Sequence, residues 1–137
     1  MKLTELFNSK TVFSLEVFPP RNELSSQRII PTLEGLQEIA PDFISVTLGA
    51  GGIGHDQGTF EIADFIQNTL NIPAVVHVPC LYLSQEQVLT LLDQLKEINV
   101  TNILALRGGI SFLAGNRSVI FHMQMTDRVC KKGTSTF

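Results

Sequence analysis

FISVTLGAGGIGHDQGTFEIADFIQNTL, residues 43–70, holds an apolar run, a glycine-rich loop and an amphipathic stretch in that order. FISVTL (43–48) reads as a strand, and TFEIADFIQNTL (59–70) sets Phe60, Ala63, Ile66 and Leu70 on one helical stripe. Strand, loop and helix within roughly 30 residues make one βα unit. The loop GAGGIG (49–54) is then either a nucleotide-binding turn or the rim of a larger parallel assembly.

The same unit recurs on both sides. After a short amphipathic helix carrying Leu3, Leu6 and Phe7, VFSLEVF (12–18) reads as a strand stopped by Pro19 and Pro20, which cannot donate to a ladder. SSQRIIPTLEGLQEIA (25–40) puts Ile29, Ile30, Leu33, Leu36 and Ile39 on one face, and Pro31 predicts that the helix proper begins near Ile30. AVVHV (74–78) is a third strand. Ser84 and Gln87 follow at capping-box spacing, ahead of Val88, Leu91, Leu92 and Leu95 on a buried face, and NILAL (102–106) is a fourth strand. Four alternations of strand and helix predict an α/β chain with parallel strands joined by crossover helices.

Polar residues recur in step with the units. Glu16, Thr47, His77 and Arg107 each stand at the carboxyl end of a strand, separated by 31, 30 and 30 residues. Alternation predicts that Ser14 and Glu16, Ser45 and Thr47, Val75 and His77, and Ala105 and Arg107 share one face, with Leu15, Val46, Val76 and Leu106 on the other. A face that turns polar only at its carboxyl end is the catalytic rim of a barrel or the ligand crevice of an open sheet. Glu16, partly desolvated by the apolar wall, is a candidate general acid there.

Composition narrows the function. The chain has 137 residues, 44% of them apolar, enough for one domain with a core. A net charge of −3 with dispersed Lys and Arg argues against nucleic acid. No apolar run approaches the roughly 20 residues of a membrane span, and MKLTELFNSK lacks the apolar core of a signal peptide, so a cytoplasmic protein is expected. Cys80 and Cys130 form neither a CxxC pair nor a disulfide framework.

Each candidate has a plainer explanation. Glu16 is equally a structural carboxylate paired with Arg107 or Arg21, His77 a hydrogen-bonded core histidine, and Thr47 an ordinary strand residue. His77 and Cys80 are two ligand types without a third, so no metal is expected. GAGGIG matches the dinucleotide fingerprint GxGxxG, but the acidic residue due about 20 positions on is missing from NIPAVVHVPC.

FSLEVFPPR, FISVTLGAGG, the HVPC after the third strand and ILALRG together resemble the methylenetetrahydrofolate reductase family in order and spacing, over roughly residues 10–108. The resemblance implies the first four βα units of a (β/α)8 TIM barrel, an incomplete one, as residues 1–108. It implies FAD as cofactor, NADH or NADPH as electron donor, and 5,10-methylenetetrahydrofolate as substrate, reduced to 5-methyltetrahydrofolate. It also implies a homo-oligomer in the full-length form. Glu16 matches the general acid that protonates the folate ring nitrogen, and Thr47 a position near the nicotinamide and flavin rings. Leu48 and Ala50 match flavin contacts, although the family usually has an aromatic residue where Leu48 stands, which leaves Leu48 a backbone contact at most. His77, Arg107 and Gly108 match further FAD contacts.

The family motif continues Arg-Gly-Asp, with the Asp facing flavin and pterin, where this chain has Gly109. Residues 109–137 contain no further βα unit and no sustained apolar period, and are expected to be an aberrant tail without regular order. Removing one G from the glycine codons allows the next residues to read Gly-Asp-Ile-Leu-Pro-Gly-Arg-Glu-Pro-Val-Ser-Asp, a family-like loop, which predicts a one-base frameshift just after Gly108. A barrel left with four strands exposes two sheet edges and is expected to have little or no reductase activity. Two other readings compete. One is a small Rossmann-like domain holding a nucleotide on GAGGIG; the other is a non-catalytic half-barrel that dimerises through its open edges.

Overall fold

A computed structural model describes residues 3–20, 23–48, 57–80, 83–106 and 120–124. In chain order these form α1 (Leu3–Ser9), β1 (Ser14–Val17), α2 (Glu23–Leu36), β2 (Phe43–Val46), α3 (Gln57–Asp64), β3 (Ala74–Pro79), α4 (Gln85–Glu97), β4 (Asn102–Leu106) and β5 (Ile120–Gln124). A 3-10 turn, Gln37–Ile39, follows α2, and a π turn, Phe65–Thr69, follows α3.

The sheet runs β1-β2-β3-β4-β5, with the first four strands parallel. Sequential order without a reversal leaves no topological switch point, the feature on which a Rossmann crevice depends. The Rossmann-like alternative is therefore set aside, and the sheet is compatible with part of a (β/α)8 barrel. Right-handed crossovers between successive neighbours put all their helices on one side. Register places Val17, Val46, Val76 and Ile103 in one row of that side. These four share a buried cluster with Leu33 of α2, Ile62 and Ala63 of α3, and Leu91, Leu92 and Leu95 of α4.

The turns leading from helix back to strand repeat one device. Ala40, Asn71 and Asn99 all have positive φ, and each stands three residues before its strand. After α4 the turn is a Schellman motif, in which Val100 N–H donates to the Leu95 carbonyl (2.9 Å) and Asn99 N–H to that of Lys96 (3.0 Å). After α3 the π turn widens the loop by one residue, and Ile72 N–H reaches the Ile66 carbonyl at 3.1 Å. At the other end of α4 both halves of the capping box form: Ser84 Oγ accepts from Gln87 N–H (3.2 Å) and Gln87 Oε1 accepts from Ser84 N–H (2.8 Å).

The starts of β1 and β2 are joined by Asp42. Its N–H donates to the Phe13 carbonyl (2.8 Å), and its carboxylate accepts from Phe13 N–H (2.9 Å) and pairs with Lys10. The Lys10 hydrogen bond, followed by that from Phe13, holds the Asp42 carboxyl below its usual range.

Three expectations need correction. α2 begins at Glu23, not near Ile30, and Pro31 lies inside it. Pro31 is exposed while Leu33 is fully buried, so packing of the inner face carries the helix through a residue that costs about 3 kcal/mol in a helix interior. The faces of β4 are also exchanged. Val75 pairs with Asn102, an offset of 27, whereas Ser45 pairs with Val75, an offset of 30. The odd offset turns Ala105 toward the helices and sets Leu104 level with His77.

The third correction concerns the segment after Gly108. Within it, β5 pairs antiparallel with β4, Asn102 opposite Gln124 and Leu106 opposite Ile120, so β4 is not an open edge. No further βα unit occurs among the described residues.

Candidate functional site

β1 shows how a carboxylate is accommodated in an apolar strand. Ser14 and Glu16 are exposed and Val17 is buried, so Glu16 lies on the face turned away from the helices. Its side chain is 47% exposed. Opposite it in register is Ser45 of β2, whose hydroxyl donates to the Leu15 carbonyl (3.3 Å), and beyond Ser45 in the same row is Val75 of β3.

His77 stands one step further along β3 on this face. Its Nδ1 is 3.6 Å from Glu16 Oε1, a contact that spans the intervening β2 strand. The imidazole is 10% exposed. Burial lowers its pKa from the ordinary 6.5, while the Glu16 charge acts in the opposite direction. Burial is the larger influence, so the imidazole is neutral at pH 7. At 3.6 Å the pair is within ion-pair distance, just beyond normal hydrogen-bond length.

Thr47 follows β2 and is half-buried. Its N–H donates to the Val17 carbonyl (3.1 Å), and its carbonyl accepts from Thr59 Oγ1 (3.2 Å). Thr59 lies in the first turn of α3 and is 1% exposed, so one buried hydroxyl ties together the two ends of the glycine-rich segment. Sequence reading missed this role for Thr59. The available signal was a threonine directly after the loop at the start of an apolar stripe. Leu48 packs against the helix-side cluster, which leaves its backbone as the group available to a ligand at the rim.

The structure thus brings Glu16 and His77 together, sets Thr47 beside them, and turns the Leu48 side chain away. Ala50, Arg107 and Gly108 lie outside the described residues, as does Arg21, the other cation considered for Glu16. Among the described residues, no group of three or more His, Cys, Asp or Glu side chains is placed to hold a metal. No helix among them is long and apolar enough to cross a membrane.

Comparison with known proteins places the chain in a family. The profile of the methylenetetrahydrofolate reductase family matches residues 2–116. A probable methylenetetrahydrofolate reductase (NADH) of Oryza sativa subsp. japonica is 34% identical over 101 residues, covering 74% of this chain and 17% of that protein. The 5,10-methylenetetrahydrofolate reductase of Pectobacterium carotovorum is 31% identical over 97 residues, 71% of this chain and 32% of that protein. The Escherichia coli enzyme of the same name is 29% identical over 97 residues, with the same coverage. The chain therefore spans about a sixth of the plant relative and a third of the bacterial ones. With the matched profile covering most of its length, the chain belongs to the methylenetetrahydrofolate reductase family.

Proposed function

We propose that this chain carries the proton-donor side of a flavin-dependent reductase that converts 5,10-methylenetetrahydrofolate to 5-methyltetrahydrofolate. The observation supporting this most directly is the carboxyl group of Glu16, half-exposed on the face away from the helices and 3.6 Å from a buried imidazole. NADH is the favoured electron donor, because the rice relative carries that cofactor in its name.

FAD is the cofactor this reading requires, and the donor set fits it. The rim offers the Thr47 hydroxyl and the Leu48 backbone N–H just after β2, donors suited to the carbonyl and ring-nitrogen acceptors of a flat heterocycle. When bound, FAD supplies the hydride transfer that no side chain performs. Glu16 supplies the proton. Its O–H bond breaks as an N–H bond forms at the folate ring nitrogen, and the five-membered ring opens to an iminium that accepts hydride. Thr59 holds the Thr47 carbonyl and so fixes where the rim loop leaves β2.

Gly109 stands where the family resemblance calls for an aspartate, which makes it the first position to restore in an assay of turnover. Purified protein is assayed for NADH-driven reduction of methylenetetrahydrofolate as wild type, as Gly109→Asp, and as Gly109→Asp with Glu16→Gln. Gly109→Asp is expected to raise turnover. Adding Glu16→Gln is expected to lower it about 100-fold or more while flavin affinity is kept. Undiminished turnover in the double variant would remove Glu16 from the mechanism.

A further inference from the structure

Glu16 lies on a four-residue strand at one end of the sheet, with its side chain 47% exposed. Such a carboxyl group has three rotatable bonds and loses side-chain entropy whenever it is held in one orientation. A proton donor must nevertheless present one chosen oxygen to the substrate. His77 is placed differently. It sits on β3, inside the sheet, and its imidazole is 10% exposed.

Resting on the reductase reading above, we propose that His77 is the positioning residue for Glu16, donating its Nδ1–H to Oε1 so that Oε2 delivers the proton. When Oε2–H breaks and the proton moves to the substrate nitrogen, the proton on His77 Nδ1 stays in place. The new carboxylate then accepts a charge-assisted hydrogen bond from it, stronger than the neutral one before transfer. A neutral imidazole suits this task because it donates without adding a competing cation, and burial keeps His77 neutral. Among the described residues, Glu16 is the charged group facing His77. β2 contributes the hydroxyls of Ser45 and Thr47, and β4 contributes Asn102 and Leu104. β5 sets His122 at the register position opposite Leu104.

The test uses the intact chain and needs neither flavin nor folate for its first part. The His77 imidazole is titrated by heteronuclear NMR, its resonance assigned among the three histidines by its loss in His77→Asn. A coupled pair titrates at lower pH in Glu16→Gln than in wild type, because the carboxylate that favours the imidazolium is gone, and its nitrogen shifts show the Nδ1–H tautomer. A core histidine unconnected to Glu16 titrates identically in both proteins, and that result overturns the inference whether or not the protein is a reductase.

The second part measures kcat and KM for folate in the Gly109→Asp background. His77→Leu is expected to lower kcat about 10- to 100-fold, the loss of one hydrogen bond to a charged group, and to flatten the pH dependence of kcat. His77→Asn, which keeps an N–H donor, recovers part of that loss. Coupled titration with an unchanged kcat in His77→Leu also overturns the proposal. Turnover undiminished by Glu16→Gln instead removes Glu16 as the proton donor on which this inference rests, while the titration still reports on the pair itself, so the two failures are distinguishable.

Discussion

Replacing Thr59 with valine changes one hydroxyl for a methyl at a site 1% exposed, so no cavity opens and the effect isolates one hydrogen bond. That bond, from Thr59 Oγ1 to the Thr47 carbonyl at 3.2 Å, is a neutral side-chain-to-backbone contact worth about 0.5–1.5 kcal/mol net. A carbonyl left fully buried without a partner would cost about 1–3 kcal/mol, but Thr47 is half-buried and water replaces part of the contact. The expected destabilisation of Thr59→Val is therefore about 1–2 kcal/mol, close to a tenfold change in the folded-to-unfolded ratio. Urea unfolding reads it as a lower midpoint with unchanged m. Thr59→Ser keeps the hydroxyl and separates loss of the bond from loss of the methyl group. A Thr59→Val protein with the wild-type midpoint would refute the claim that this hydroxyl anchors the rim loop.

Four further outcomes are expected. Ala40 has φ 47°, where glycine carries no Cβ penalty, so Ala40→Gly is expected to be neutral to stabilising by up to about 1 kcal/mol in urea, whereas glycine at an ordinary helical position destabilises. Folding also favours neutral His77, so the unfolded chain binds the extra proton and stability falls as pH drops below the ordinary imidazole value of 6.5. His77→Leu removes that loss. Asp42 acts in the same direction in its own, lower range, stabilising above pH 3.8 and losing its contribution as pH falls through its lowered folded value. Urea midpoints measured across this range resolve the two steps. Sequencing the coding DNA at Gly108–Gly109 is expected to show a glycine run with a spare G and a family-like reading in the adjacent frame. A run without one refutes the frameshift.

Much of the scaffold was legible because each signal was local. Ser84 and Gln87 announced α4 by spacing alone, and apolar periodicity located all four parallel strands to within two residues. Glu16 and His77 could be assigned to one face because β1, β2 and β3 keep the parity that alternation assumes. The same rule failed in β4, since an offset of 27 depends on how the α4 crossover is wound, which no local pattern states. Pro31 misled because helix propensity was outweighed by the burial of Leu33. β5 was invisible because residues 109–137 show no sustained apolar period to mark a strand. The 3.6 Å approach of Glu16 to His77 was hidden too, as it depends on the stagger of two strands separated by a third.

The central claim is that the carboxyl ends of β1, β2 and β3 form a flavin-binding rim on the face away from the helices. Its most direct test is to titrate the isotope-labelled chain with FAD and map the amide and side-chain shifts. The account predicts saturable changes concentrated at Glu16, Thr47 and His77, with Leu33, Ile62 and Leu95 on the helix side unmoved. Changes confined to the helix side, or none at all at saturating FAD, would contradict it.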